Sequence, residues 1–439
     1  MRAFAFGIVS LQLLLALRLA PVAAAGAPDP WMTRLRAARA AMARGDLAEA
    51  RTQAVIVDSI AGGHPGSMAM LARIAARRGE RSEALRWLTD LAATGLTAHL
   101  PADSTFAAFA GDPRFQAIAA RMDSNGTPIA RATVAVRLSD PGLLAEDVAW
   151  DATGRRFLVS AIHRGAIVAL DSAGRERPFF QGGDGVWGVY ALAVDAAHDV
   201  VWATTAAGPE FERYTRADSG RAALIAIDRR TGRPQRRLEL PRDGARHVLG
   251  DLAIGPDGAV YVTDSAAGGV FRLRPGSATL DTLAPAGTFA SPQQPALTAD
   301  GRRLLIPDYP RGIAALDVAG AGLRWLAKPR TLACGGIDGL CRDGDRLIAI
   351  QNGTSPRRVL ELRLDATSER IVAWRVLEQA SPALGEPNHG VVVGRDLVFI
   401  GNSGWDRVND RGELDAPEGA APPVLLRLRL DARPRAAPP

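Results

Sequence analysis

The sequence predicts a mainly β, multidomain chain: a six-bladed β-propeller preceded by a small all-α module. Three observations predict it. A phrase of one apolar strand, often a polar turn, and a second apolar strand returns six times. Its copies are spaced by roughly 40 to 60 residues, the range of propeller blades. Upstream, two Ala-rich phrases begin with glycines 34 residues apart, Gly45 and Gly79. A single blade cannot bury both of its faces, so six copies must close radially around a channel.

The N-terminus reads as a processing segment. Arg2 supplies the positive n-region, Ala3 to Leu17 the apolar stretch, and Ala23-Ala-Ala25 a small-residue cleavage site. Residues 1–25 are therefore expected to be a signal peptide, and the mature protein to be periplasmic or extracellular with no transmembrane domain. An uncleaved N-terminal anchor is the alternative. Residues 28–123 read as helical, because apolar positions recur at three and four and β-branched residues are sparse. The phrases Gly45-Asp-Leu-Ala-Glu-Ala50 and Gly79-Glu-Arg-Ser-Glu-Ala84 share the 34-residue period of tetratricopeptide repeats. Phe106, Phe109 and Asp112-Pro-Arg-Phe115 suggest a degenerate third unit. This module would be either a cap packed on the propeller or a partner-binding groove. Asp123 to Pro128, rich in turn formers, is the linker.

The propeller is expected over residues 129–430. Its phrases start with Glu146–Trp150, Ala191–Val194, Asp251–Ile254, Ala296–Thr298, Asp338–Cys341 and His389–Val393. Gly-Pro-Asp-Gly at residues 255–258 and Ala-Asp-Gly at 299–301 are turn chemistry between antiparallel strands. The last phrase accounts for three strands, ending with Val424–Leu430. Ala130–Leu138, which alternates apolar and polar residues, would supply the fourth and remove the open edge. Residues 431–439, rich in Pro, Ala and Arg, read as a disordered tail.

Composition excludes some classes. The formal charge of +6 is spread among Asp and Glu with no basic stripe, which argues against nucleic-acid binding. Lys328 is the only lysine. The two cysteines, Cys334 and Cys341, do not make a zinc site. Export would permit a disulfide between them, and two free thiols are the other reading. No Gly-x-Ser-x-Gly elbow anchors a serine triad.

In a propeller each inner strand begins near one face of the channel, so the residues just before its apolar core converge from different blades. Aligned on Trp150, these positions hold Glu146 and Asp147, Tyr190 and Ala191, Gly250 and Asp251, Gln293 and Gln294, Asp338 and Gly339, and Asn388 and His389. Several carboxylates aimed at one small volume stay ionised only with a cation or compensating hydrogen bonds. Carboxylate and amide oxygens suit a hard divalent cation such as calcium. Polar side chains wetting a tunnel are the bland alternative. Asn352, after a second strand, is either a turn residue or a ligand group, and His389 either an acid/base group or a hydrogen-bonded residue at a strand start.

These positions resemble the senescence marker protein/gluconolactonase family of six-bladed propellers. That family carries Glu-x-Pro-x-Trp, Asn-Gly-Leu, Asn-Asp and Asp-Gly phrases. Glu146 stands four before Trp150 and Asp338-Gly339 matches Asp-Gly, whereas Gln293 stands for the Asn of Asn-Gly and Gly250-Asp251 for Asn-Asp; the proline is absent. The resemblance implies a divalent metal held by Glu146, Gln293 and Asp338, with Asp338 or Asp251 as catalytic base in a lactonase- or esterase-like hydrolysis. Asp147, Tyr190, Gln294, Asn352, Asn388 and His389 would then contact the substrate. The second hypothesis is a non-enzymatic propeller that binds a small-molecule ligand in the channel or a protein partner, with the helical module as a further contact.

Overall fold

The computed structural model describes residues 30–320, 322–415 and 419–431. The expected signal peptide and all but the first residue of the expected tail lie outside them. The structure is a six-bladed β-propeller with an N-terminal helical region. Each of its six sheets has four strands, and within five of them the strands are adjacent in chain order. The inner strands are Val148–Asp151, Gly188–Asp195, Leu249–Ile254, Ala296–Leu297, Ile337–Asp343 and Gly390–Val393. The sixth sheet is completed out of order. Thr133–Arg137 pairs antiparallel with Val424–Arg429 as its outermost strand, so the two ends of the propeller share one blade. Leu138 just beyond this strand is buried, while Val134 is exposed, as an outermost strand allows.

The sheets pack face to face through apolar clusters, five of which, among the described residues, span two adjacent blades. Leu158, Ile167, Leu192 and Val201 join the first and second blades, and Leu305, Ile313, Leu340 and Leu347 the fourth and fifth. Each buried aliphatic side chain of this kind stabilises by about 1.5–3 kcal/mol. Cys334 lies in one such cluster and Cys341 in another, and both are free and buried, so the disulfide reading does not hold. Cys341 sits on an inner strand, where its thiol donates to the Gly390 carbonyl at 2.9 Å.

Upstream, α1 (Pro30–Ala43) and α2 (Leu47–Ile60) form one helical hairpin, and α3 (Pro65–Arg77) and α4 (Arg81–Ala92) a second. Gly45 and Gly79 occupy equivalent turns, each with φ +76°, as their spacing predicts. Glycine takes this left-handed conformation without the Cβ penalty. A fifth helix, α5 (Pro113–Ser124), follows two short 3-10 turns; Phe106, Phe109 and Phe115 pack together beneath it. None of the described helices is long and apolar enough to cross a membrane.

The helices lie on the fourth and fifth blades through a polar seam. Lys328 donates its ammonium to the carbonyls of Gly63 and Leu332, at 2.6 and 2.8 Å. Arg330 pairs with Asp58 at 2.7 Å. Arg358, fully buried, donates to Gln351 and to the Thr94 carbonyl at the end of α4. His64, before α3, accepts from the Gly66 N–H through Nδ1 at 3.1 Å. Its Nε2 lies 2.9 Å from the Pro310 carbonyl, so Nε2 carries the proton. Thr97 adds a backbone bond to Ser355 at 2.7 Å.

Candidate functional site

Six inner strands begin on the propeller face that carries the helices. Their first residues converge at the channel end. Neighbouring blades are tied to one another there. Asp147 accepts the N–H of Val148 and, from the second blade, of Leu192, both at 2.8 Å. Gln294 accepts the N–H of Leu340 from the fifth blade at 3.0 Å. These two side chains hold blades in register, and their oxygens are largely engaged in doing so.

Glu146, Asp251, Asp338 and His389 occupy the centre. Donor atoms of Glu146, Asp338 and His389 lie within 4.8 Å of one another, close enough to share one ion. The His389 Nε2 is 3.1 Å from Asp251 and 3.7 Å from Asp338, and its Nδ1 is 3.9 Å from Asp147. The oxygen Asp251 Oδ1 and both His389 nitrogens are buried without a well-directed hydrogen bond. Buried polar atoms in that state carry a large desolvation cost, and such atoms cluster where an ion or substrate completes them. Gln293 stands before the fourth inner strand, where its backbone N–H donates to the Pro307 carbonyl at 2.8 Å. Its amide donates to the carbonyl and hydroxyl of Ser291, at 3.2 and 2.9 Å. His389 joins Glu146 and Asp338 as a potential third donor.

A second layer orients the carboxylates. Asn388 and the Trp405 indole N–H both donate to the same Glu146 oxygen. Asn352 donates to Asp338 at 2.6 Å and to Asn388 at 3.1 Å, and accepts from the Tyr309 hydroxyl at 2.9 Å. Tyr190 donates its hydroxyl to Glu210. Tyr309 and Glu210 stand in a loop or after a second strand, with no local pattern to announce them, whereas Trp405 closes the Asn402-Ser-Gly-Trp405 stretch, which reads from the sequence as a turn after a second strand. The aromatic-Asn-carboxylate chain is visible only once the blades are closed.

Electrostatics follow from this crowding. Burial, reinforced by the Asp338 charge, pushes the Glu146 carboxyl up to about 8. Burial likewise pushes Asp251 up to about 7, the His389 cation opposing and Asp338 and Asp147 reinforcing. Burial also raises Asp147. His389 moves the other way from a lone buried imidazole. Burial favours its neutral form, but Asp251, Asp338 and Asp147 together raise it well above its ordinary value. The carboxylates therefore do not all remain ionised near neutrality without an added cation; Glu146 holds a proton and His389 is an imidazolium.

The donor set fits a divalent ion. Two carboxylates and an imidazole converge, loss of the two protons just described leaves a dianionic set that matches the charge of a divalent cation, and buried acceptor capacity is left over. An imidazole among the donors moves the preference from calcium toward iron, nickel or zinc.

A cavity of about 470 Å³ opens beside this centre, between the helical hairpins and the propeller. Tyr309 lines it. Glu146 and Asp338 are the more accessible of the four central residues, 9% and 7% exposed against 1% for His389 and Asp251.

No protein-family model matches the chain, and no curated protein matches its sequence. Solved structures resemble its fold. A gluconolactonase of Xanthomonas campestris is 18% identical, covering 67% of this chain and 89% of its own, with a TM-score of 0.46. The PQQ-bound aldose sugar dehydrogenase of Streptomyces coelicolor is 16% identical over 68% and 99%, also at 0.46. Regucalcin of Agrobacterium tumefaciens, a calcium-binding protein, is 16% identical over 67% and 95%, at 0.45. Likeness at this level carries no argument about chemistry.

Proposed function

We propose that this chain is an exported, divalent-cation-dependent hydrolase of lactones or related esters. One observation carries the reading: a buried cluster of Glu146, Asp338, His389 and Asp251, with unsatisfied polar atoms, at the channel end and beside a cavity. Glu146, Asp338 and His389 would hold the ion. When bound, it supplies a Lewis acid for the substrate carbonyl and neutralises the carboxylates.

The remaining chemistry belongs to the side chains. Asp251, poised near neutrality and not tied to backbone N–H groups at Oδ1, takes a proton from water. The water oxygen adds to the carbonyl carbon, the ring C–O bond breaks, and Asp251 returns the proton to the ring oxygen. Asn388, Trp405 and Asn352 fix the carboxylates so that little reorganisation is needed. Support for the substrate class comes from the Glu146 and Asp338-Gly339 phrases. The leader-like segment before residue 26 supports export, and the matched glycine turns support a tetratricopeptide-like module.

A second reading has its own observation. His389 already acts as a built-in cation among the carboxylates and is 1% exposed. A metal-free propeller that binds a ligand or a protein partner would show that arrangement. Metal analysis of the purified protein, with hydrolysis of a lactone panel followed by acid release, separates the two. A stoichiometric cation and chelator-sensitive hydrolysis support the enzyme. Absence of both gives first place to the binding propeller.

A further inference from the structure

The cavity over the channel end is built by two domains. From the helices come Trp31, Leu35 and Leu96, and from the propeller Tyr309, Gly336 and Gly353. Its volume of about 470 Å³ lies in the range of small-molecule sites. The glycine pair shapes its propeller side. A Cβ on Gly353 would come within 2.5 Å of the Tyr309 hydroxyl, and one on Gly336 within 2.7 Å of the Gly353 backbone. Only bare backbone lets these loops meet under the cavity.

Arg39, an exposed side chain, is the one charged group of the wall, and the uncharged polar side chains are already engaged within the protein. Both His64 nitrogens are used, by Gly66 and Pro310. Thr97 and Ser355 bond each other at 2.8 Å. Thr354 donates to the Pro356 carbonyl at 3.0 Å, and Tyr309 to Asn352. A polyhydroxylated ligand would leave hydroxyls unpaired against such a wall, which is costly. An alkyl or aryl group would not. Tyr309 is the link between the cavity, which it lines, and the proposed centre, because it is joined to Asp338 through Asn352 alone.

We propose that the helical module completes the substrate site, and that this cavity takes an alkyl or aryl substituent carried by the lactone or ester. The inference rests on the hydrolase reading for the reacting end, but the chamber itself does not need the ion. A substrate with its carbonyl at Asp338 extends its substituent past Tyr309 toward Leu35 and Leu96. The helices thereby set which esters are accepted.

The test uses the full mature chain and a series of γ-lactones of rising alkyl length, with gluconolactone as the polar comparator. Binding of γ-decalactone is measured by calorimetry on chelator-treated protein, and hydrolysis on cation-loaded protein. The expected result is that kcat/KM rises about fourfold per methylene, the ratio equivalent to about 0.8 kcal/mol per buried methylene. Leu96→Trp fills the chamber from a half-buried wall, and should weaken γ-decalactone binding at least tenfold and flatten the length dependence. Leu96→Asp should do the same without adding bulk. Hydrolysis with no length dependence, or a preference for gluconolactone, overturns this inference and leaves the hydrolase reading standing. Chamber-dependent binding of γ-decalactone with no hydrolysis of any lactone supports the chamber and removes the hydrolase reading. No binding to chelator-treated protein overturns the chamber.

Discussion

His64 in the seam and His389 at the channel end are both enclosed by protein, yet their surroundings drive them in opposite directions. Burial holds His64 neutral, down to about 4; Lys328 and Arg39 reinforce that, while the Pro310 hydrogen bond and Asp58 oppose it. His389 suffers the same desolvation, but three carboxylates outweigh it. The seam is therefore a neutral hydrogen-bonded joint, and the channel end a charged one. What separates them is the number of acidic neighbours rather than depth. A buried imidazole with a carbonyl for company is a pin; one among carboxylates is a counter-ion awaiting competition from a metal.

The largest effect should come from removing that counter-ion. His389→Gln leaves Asp251, Asp338 and Asp147 without a cation, and the chelator-treated protein should lose about 3–5 kcal/mol in denaturant unfolding. A loss under 1 kcal/mol would erase the contrast with the seam. Next, a saturating divalent cation should stabilise the native protein by about 2.7 kcal/mol at a hundredfold excess over Kd. Asp338→Ala should abolish that rise and the hydrolysis together while the propeller still folds, because Asp338 belongs to the polar channel end and to none of the apolar clusters. An undiminished rise would move the ion elsewhere.

His64→Ala removes the cap of α3 and the bond to Pro310, and should cost about 1–2 kcal/mol, with lactone hydrolysis lowered through KM before kcat. The pH profile of thermal unfolding sharpens the comparison. For Glu146, the folded state keeps a proton up to about 8 that the unfolded chain releases near 4.5, and His389 behaves likewise from 6.5 upward. Metal-free protein should thus lose stability as pH rises from about 5 to 9. His64 has the opposite sign. The unfolded chain takes up a proton below 6.5 that the folded state refuses until about 4, so the seam weakens as pH falls through that window. His389→Gln should flatten the alkaline limb and His64→Ala the acid one. The smallest effect belongs to Arg330→Ala, whose exposed guanidinium pairs with Asp58 and Asp90, and should cost about 1 kcal/mol or less.

Much of this was legible in the sequence, for local reasons. The blades announce themselves through alternation and through turns such as Gly255-Pro-Asp-Gly258, which need only neighbours in the chain. Glu146, Asp251, Asp338 and His389 could be aligned because a strand start repeats in every blade. Gln293 has its amide nitrogen engaged by Ser291, two residues earlier, a local bond that alignment does not reveal. Tyr309 and Glu210 were invisible for the opposite reason. Each reaches the site from a loop or strand end whose position depends on the closed ring. The docking of the helices over the fourth and fifth blades depends on Lys328, Arg330 and Arg358 finding backbone and acidic partners far away in the chain, and no periodicity encodes that.

The strand Thr133–Arg137 meets its partner across a gap of 294 residues, as between Thr133 and Arg427. On a ribosome adding about 5–20 residues per second, that partner appears roughly 15–60 s later. Meanwhile the helices, built almost wholly from local contacts, can already be complete. During that wait the sixth blade has an unpaired margin and the channel end is not yet assembled. Nascent chains stalled before residue 424 should consequently present a protease-resistant helical core attached to a cleavable remainder, and acquire resistance along their whole length only when the final strand has emerged.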